Sequence, residues 1–488
     1  MNQSLDPYAI LGVDRTASLD EIRLAHRIVS LRFQPDKNPS PAAADEYRLI
    51  GEAYEVLGDP AQRAAHDATV GPATRPLLRV RLTTSRDNLP TIHEPQVVYG
   101  LVEIGAEAVV AENAPAPPVN LCLVIDRSTS MQGERLDQVK RATLAIIDQL
   151  TERDAFSMVA FSDRAEVTLP AQRNPDKVLA KAKVSTLFAS GGTEILQGLV
   201  SGIAEIQRYL NPLSANHLIL LTDGRTYGDE DDCLSLANLA ARDGINIHGL
   251  GMGAEWNDEF LDDLAGLTGG STTFGNSPKA VGQFFGDIMR GVSSTFAERL
   301  SLTVTPDVGI TLQSAFRSAP HPAPINVAHP PLRLGNLRRT GQVEVLLQFA
   351  VPPANAGRRW IARVCVQGDV IALERMNQRV IHDVSVMARA DALEEAPPVA
   401  IVNALSKLAI HRLQEKAAAE AAAGQIALAT QRLERLASRL LASGEKDLAK
   451  TALVEARRLE RTKKISSEGQ KTLKFGTRAL ISPDGDDG

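Results

Sequence analysis

The apolar residues of this chain change period several times, and each change marks a boundary. Up to about residue 70 they recur at helical spacing. Ile22, Ala25, Val29 and Phe33 make one stripe, and Tyr47, Ile50, Tyr54 and Leu57 another. Ser18 and Glu21 form a capping box that predicts a helix start near residue 19. Asp59-Pro60 punctuates the second stripe, and a short helix carrying Arg63 and Asp67 follows. Residues 75 to 112 switch to alternation, with Leu78, Val80 and Leu82 set against Arg79 and Arg81, and Pro115, Pro117 and Pro118 close the stretch. Between 119 and 297, apolar runs (VNLCLVID, AFSMVAFS, HLILLTD, INIHGLG) are separated by helical patterns, the clearest from about Gly133 to Leu150. Alternation returns over 298 to 395 in Leu300, Leu302, Val304 and in Val343, Val345, Leu347, Phe349, with turn-rich spacers such as SAPHPAPINVAHPP. The helical period resumes over 398 to 465, in Ile426, Ala429, Leu433, Leu436, Leu440 and in Ala449, Ala452, Ala456, Leu459. Gly424 and Gly444 stand where helices end.

These periods predict a multidomain chain. Residues 1–70 form a small all-α domain, and residues 119–297 an α/β domain with a mostly parallel, doubly wound sheet. Residues 298–395 form an antiparallel β-sandwich. Residues 75–118 are too short to bury a core alone, so they are expected to join that sandwich, making the α/β domain an insertion within it. A C-terminal bundle of about three helices spans 398–465. A tail, 466–488, ends in SPDGDDG, whose composition favours disorder.

Length alone, 488 residues, suggests about three domains. Aromatics are only 4%, so the cores must rest on Leu, Val, Ile and Ala. A net charge of -6 argues against the basic face of a nucleic-acid binder. Cys122, Cys233 and Cys365 are far apart, odd in number and lack zinc-ligand spacing, so buried reduced thiols are expected. The N-terminus lacks a secretory pattern, and no apolar run approaches the ~20 residues of a membrane span. A cytoplasmic protein is the expectation. His217 and His248, in or beside core strands, read as structural, and the acidic run Asp229 to Asp232 as a solvated helix start.

Candidate chemistry concentrates in the α/β region. Doubly wound sheets bind ligands outside the carboxyl ends of their strands. Asp126 and Asp223 end two predicted strands, and Thr193 lies in a loop on the same side. In Asp126-Arg127-Ser128-Thr129-Ser130, alternate side chains can converge, bringing one carboxylate and two hydroxyls together. Thr193 adds a hydroxyl and Asp223 a second carboxylate. An oxygen-only set suits Mg²⁺, with Mn²⁺ or Ca²⁺ as alternatives, over zinc. Waters would complete the coordination, and one could be exchanged for a partner's carboxylate. No nucleophile-elbow, phosphate-loop or CxxC pattern is present, so the chain is not expected to be an enzyme.

DRSTS (126–130), the threonine of SGGTE (193) and the aspartate of LTDGR (223) resemble the von Willebrand factor A domain and its metal-ion-dependent adhesion site, over about 119–297. The resemblance implies direct metal contact by Ser128, Ser130 and often Thr193, and action largely through water by Asp126 and Asp223. Thr129 departs from the glycine common in the family, and Arg127 has no assigned role. FSDRAEVTLP, the flanking strands and KTLKFGTRAL resemble bacterial intracellular proteins of this class, often described as similar to calcium-activated chloride channel proteins. Those relatives imply an adaptor alongside kinases, phosphatases or ATPases. Over residues 5 to 68, EAYEVLGDPAQRAAHD and its surroundings resemble a J domain of the heat-shock co-chaperones. The family's His-Pro-Asp is here Gln34-Pro35-Asp36; with Arg27 and its basic neighbours, this tripeptide would contact a DnaK-type chaperone. The Gln implies weak or lost stimulation. Two readings follow: a metal-dependent adaptor that grips an acidic group on a partner protein, or an active co-chaperone whose metal domain selects clients.

Overall fold

The computed structural model describes residues 6–70, 77–107, 116–224, 228–393 and 395–479. Pro115 and the SPDGDDG segment lie outside them. The N-terminal domain consists of α1 (Pro7–Leu11), α2 (Leu19–Phe33), α3 (Pro41–Gly58) and α4 (Pro60–Val70). The capping box at α2 is formed: the Glu21 amide donates to Ser18 Oγ at 3.3 Å, and the Ser18 amide donates to the Glu21 carboxylate at 2.7 Å. Ile22, Val29, Phe33, Ile50 and Leu57 make the core. Tyr47, placed in the second stripe by its spacing, is exposed instead.

Three short segments follow, β1 (Leu78–Thr84), β2 (Asn88–Pro90) and β3 (Gln96–Ala106). The α/β region then runs β4 (Val119–Asp126), α5 (Glu134–Gln149), β5 (Ala155–Phe161), β6 (Ala165–Arg173), α6 (Lys177–Ser185), α7 (Ile195–Gln207), β7 (Ala215–Thr222), α8 (Glu230–Arg242), β8 (Ile245–Met252), α9 (Asp258–Thr268), β9 (Thr272–Gly275) and α10 (Pro278–Ser293). Its sheet has the order β6-β5-β4-β7-β8-β9, parallel except at β6. The chain leaves β4 toward β5 on one side and reaches β7 on the other, so strand order reverses there. Such a switch point opens a crevice at the carboxyl ends of the strands.

The chain returns to strands in β10 (Thr295–Pro306), β11 (Thr311–Ala319), β12 (Ala323–Ile325), β13 (Leu332–Arg338), β14 (Gln342–Val351), β15 (Gly357–Val370) and β16 (Arg375–Arg389). Two five-stranded sheets result, β1-β3-β14-β11-β12 and β13-β10-β15-β16-β2. β3 pairs with β14 from Gln96↔Val351 to Gly105↔Gln342, so strands preceding the α/β region complete a sheet whose other members follow it. The two inner faces share one apolar core, including Val98, Val102, Val345, Phe349, Leu302 and Val364.

The C-terminal bundle has four helices among the described residues, not about three: α11 (Val399–Ala422), α12 (Ile426–Ala442), α13 (Lys446–Thr462) and α14 (Ser467–Ala479). The last occupies residues expected in the tail. Gly469 and Gly476 weaken its intrinsic helix signal, but both are needed for close packing. A Cβ on Gly469 would fall 2.4 Å from the Glu455 carboxylate, and one on Gly476 would fall 2.5 Å from Leu448. α14 is held by distant partners. Phe475 packs on Trp256 at 5.5 Å between ring centroids, Lys471 Nζ donates to the carbonyls of Ala254 and Trp256, and Arg478 grips Asp262 through two bonds of 2.8 and 2.9 Å. At the other end, Ile401, Ala404 and Leu408 of α11 cover Leu101, Phe316 and Leu346 of the sandwich. The bundle therefore clamps both neighbours. No helix among the described residues is long and apolar enough to cross a membrane.

The N-terminal helices dock on the sandwich through buried charges. Arg363 of β15 pairs with Asp383 of β16 at 2.8 Å and with Glu46 of α3 at 3.4 Å, and also donates to the Ile10 carbonyl. Arg32 of α2 pairs with Asp307 at 2.6 Å and Asp383 at 2.9 Å and lies over the Trp360 ring. Burial pushes the Asp383 carboxyl up, but Arg363 and Arg32 outweigh it and hold it below the usual aspartate value. Asp383→Ala strips a shared partner from two buried guanidinium groups. It is expected to lower stability by about 3 kcal/mol in denaturant unfolding, with increased proteolysis at the joint.

Candidate functional site

The crevice at the end of β4 and β7 is built by short-range geometry. β4 and β7 are buried along their whole length, so their last residues deliver Asp126 and the Thr222-Asp223 pair to the same edge. Asp126 is fully buried. Its Oδ1 accepts from the Ser128 amide at 2.8 Å and its Oδ2 from Thr222 Oγ1 at 2.7 Å. Burial pushes its carboxyl up to about 6; the bonds from Thr222 and Ser128 pull the other way, and the nearby Asp223 charge adds to the rise.

From Ser128 a chain of contacts crosses the crevice. Ser128 Oγ lies 3.0 Å from Ser130 Oγ, and Ser130 Oγ donates to Asp223 Oδ1 at 2.6 Å. Thr193 stands beside the turn that follows: a Cβ on Gly224 would fall 2.9 Å from Thr193 Oγ1, so only glycine lets the two loops approach. Four of the five expected residues are thus linked by hydrogen bonds, and the fifth packs against the neighbour of Asp223.

The loops are laced together around them. The Thr129 amide and hydroxyl both donate to the Gly191 carbonyl, at 3.0 and 3.1 Å, and the Ser190 amide donates to the Arg127 carbonyl at 2.7 Å. Thr129, in place of a glycine, is therefore a tie between loops. Arg127 donates to Ser190 Oγ at 3.0 Å and lies over the exposed Phe188 ring. The Gly192 amide donates to Asp163 Oδ1 at 2.8 Å, which anchors the loop carrying Thr193. Behind it, Gly202 lets α7 lie on β4, since a Cβ there would fall 2.5 Å from Val124.

Sequence reasoning missed two members. Thr222 lies within the β7 run, where a threonine reads as strand filler, yet its hydroxyl holds Asp126. Arg135, on the first turn of α5, reaches Asp223 Oδ2 and donates to the Ser130 carbonyl at 3.2 Å. Arg135 is half-exposed and Asp223 is buried. The cluster therefore offers a hard, oxygen-only donor set in which one carboxylate is shared with a guanidinium. Among the described residues, no three His, Cys, Asp or Glu side chains gather as a separate metal-binding group.

Other candidates resolve as structure. The three cysteines are free and buried, and burial pushes Cys122 and Cys233 up to about 12. His217 Nδ1 lies 3.0 Å from His248 Nε2, and His248 Nδ1 lies 3.2 Å from Ser271 Oγ. Burial holds His248 well below its ordinary value, so it is a neutral core group. Glu230, Asp231 and Asp232 fill the first turn of α8. Within that acidic run, Asp229 accepts from the Leu196 amide and Glu230 from Asn257. In the N-terminal domain, Gln34 is half-buried while Pro35, Asp36 and Arg27 are exposed, and Asn38 anchors the loop by donating to the Pro306 carbonyl at 3.0 Å.

A doubly wound sheet with this cluster at its switch point defines a von Willebrand factor type A domain, and the model of that domain matches residues 120–285. The chain joins it to a DnaJ domain, matched at residues 6–67, and to an Sll0103-like C-terminal alpha-helical domain, matched at 399–483. An uncharacterized protein, sll0103, of Synechocystis sp. is 31% identical over 260 residues, 52% of this chain and 62% of that protein. The chaperone protein DnaJ of Chlamydia pneumoniae is 47% identical over 64 residues, 13% of this chain and 16% of that protein. The chain therefore spans less than two thirds of the length of these relatives. Among solved structures, a von Willebrand factor type A protein from Catenulispora acidiphila superposes with a TM-score of 0.66 at 18% identity, covering 84% of this chain and 98% of that one. The ArnB paralog VWA2 from Sulfolobus acidocaldarius gives 0.53 at 14% identity, covering 84% of this chain and 100% of that one. At these identities the likeness is one of fold.

Thr222→Val keeps the shape of the strand but leaves Asp126 Oδ2 buried without its donor. It is expected to cost about 2 kcal/mol, read as a lower midpoint in denaturant unfolding. An unchanged midpoint would mean that Thr222 does not hold Asp126.

Proposed function

We propose that the chain is a cation-dependent protein-interaction adaptor in which Asp126, Ser128, Ser130, Thr193 and Asp223 hold Mg²⁺, or else Mn²⁺ or Ca²⁺. The observation that carries this reading is the unbroken oxygen-to-oxygen path from Ser128 through Ser130 to Asp223, at the switch point of the sheet. An ion bound there supplies an open coordination position for a carboxylate on a partner protein. Ser128, Ser130 and Thr193 present hydroxyl oxygens toward the crevice. Asp126 stands behind them with each carboxylate oxygen already accepting a hydrogen bond, which suits a charge acting through water. The laced loops fix the direction from which a partner approaches.

Arg135 sets the strength of the site, because its guanidinium competes for Asp223. Titration of Mn²⁺ into the full chain is expected to show saturable binding that Asp126→Ala abolishes. Arg135→Gln is expected to tighten it several-fold, the equivalent of about 1 kcal/mol for a half-exposed pair. Absence of saturable heat in the wild type would sink the metal reading. Weaker binding in Arg135→Gln would reverse the role given to Arg135. Partner capture by the full chain should disappear in EDTA and in Asp126→Ala.

The exposure of Pro35, Asp36 and Arg27 favours a second reading, a co-chaperone that stimulates a DnaK-type ATPase while the von Willebrand factor A domain selects clients. On the adaptor reading the DnaJ domain docks or spaces, because the Gln34 amide lacks the chemistry of the family's histidine. The wild-type chain should then leave the chaperone's ATPase near its basal rate, and Gln34→His should raise it. Stimulation by the wild type at the rate of a His-Pro-Asp domain would select the co-chaperone instead.

A further inference from the structure

A cavity of about 2040 Å³ lies where the α/β domain, the sandwich and α14 meet, away from the crevice described above. Its charged lining is unusual in kind. Six arginines and four aspartates face it, with no lysine and no glutamate among the described residues. Arg478 is engaged by Asp262, and Arg290 by Asp287 at 2.6 Å. Arg317 is not so engaged. Its Nε donates to the His321 carbonyl at 3.0 Å, and no carboxylate stands within ion-pair distance of it among the described residues. Arg478 in turn keeps a buried Nε with no hydrogen-bond partner among the described residues.

We propose that the corner of this cavity framed by Arg317, Arg338, Arg478 and His321 binds the phosphate group of a small molecule. Arginine presents a planar fork of donors that matches phosphate oxygens, and it is weakly hydrated, so it suits an enclosed site better than lysine does. The Nε–His321 bond fixes the plane of the Arg317 guanidinium and leaves its two terminal nitrogens for a ligand. The cavity exceeds the ~300–1,000 Å³ of ordinary ligand sites, so the phosphate takes one corner and the rest of the molecule has room beside it.

The electrostatics agree. Burial lowers the Arg317 pKa, and the Arg478 charge lowers it further against the opposing pull of Asp262. His321 is driven down to about 3 by burial and then by Arg317, Arg338 and Arg478, so it stands as a neutral group among cations. An anion beside Arg317 supplies the negative partner that no described carboxylate provides. Asp263 and Asp231 also line the cavity and oppose an anion at their own positions. Burial and the charges of Asp262 and Glu259 push the Asp263 carboxyl up, which reduces its opposition.

The test is isothermal titration of pyrophosphate into the full chain in EDTA, at constant ionic strength, with citrate as a second arm. Saturable binding is expected for pyrophosphate, with citrate at least tenfold weaker. Arg317→Gln and Arg338→Gln should each weaken pyrophosphate binding tenfold or more. Arg317→Lys, which keeps the charge and most of the packing, should fall between Arg317→Gln and wild type. Thermal melts confirm that each variant is folded. Absence of saturable heat in the wild type, or wild-type affinity in the folded glutamine variants, would overturn the site. Citrate binding as tightly as pyrophosphate would overturn the assignment to phosphate.

Discussion

The rest of the structure depends on the pairing of β3 with β14. Gln96 to Gly105 lie register by register against Val351 to Gln342, across the whole length of the inserted α/β domain. Without that ladder the inner face of the sandwich loses Val98 and Val102 opposite Val345 and Phe349, and an edge of unpaired backbone groups is left in its place. With it, strands that precede the α/β domain and strands that follow it share one body. The sandwich then offers one surface to the DnaJ domain and another to the helical bundle.

Those two surfaces are joined by different physics. The bundle covers the sandwich with small and aliphatic side chains, Ile401, Ala404 and Leu408 on Leu101 and Leu346. The DnaJ domain is joined by buried guanidinium–carboxylate pairs centred on Arg363, Arg32 and Asp383. Removing charges from water is costly, so such a joint adds less stability than an apolar one of the same area. Its partners must meet in one geometry, however, and that orients α2 and the Gln34-Pro35-Asp36 loop relative to the sandwich. The crevice cluster and the DnaJ loop consequently belong to one assembly rather than to modules on a flexible tether.

Much of this was legible along the chain. Alternation marked β1, β10 and β14 because each sends alternate apolar side chains into the core of the sandwich, and the capping box at Ser18 marked the start of α2 because both its members lie within one turn. Asp126, Ser128 and Ser130 were legible together because they share one loop. Asp223 and Thr193 were legible because the ends of buried strands and the loops after them share an edge. Arg135 was not, since it meets Asp223 across 88 positions and looks like any surface arginine on a helix. α14 was not legible either. Its glycines lower helix propensity, and its anchors, Trp256 and Asp262, lie more than 200 positions away.

By itself the sequence determined the periods, and through them the class of each layer. It also determined the oxygen-only chemistry of the DRSTS loop, because side-chain type and local spacing are properties of a few adjacent residues. Only the tertiary structure decided which charges meet. Arg363 with Glu46 and Asp383, Arg135 with Asp223, and Arg317 with no carboxylate partner among the described residues are outcomes of packing between elements far apart in the chain. The reason is that a charge takes its meaning from what burial leaves beside it. Neither that burial nor that neighbour is written in the local pattern.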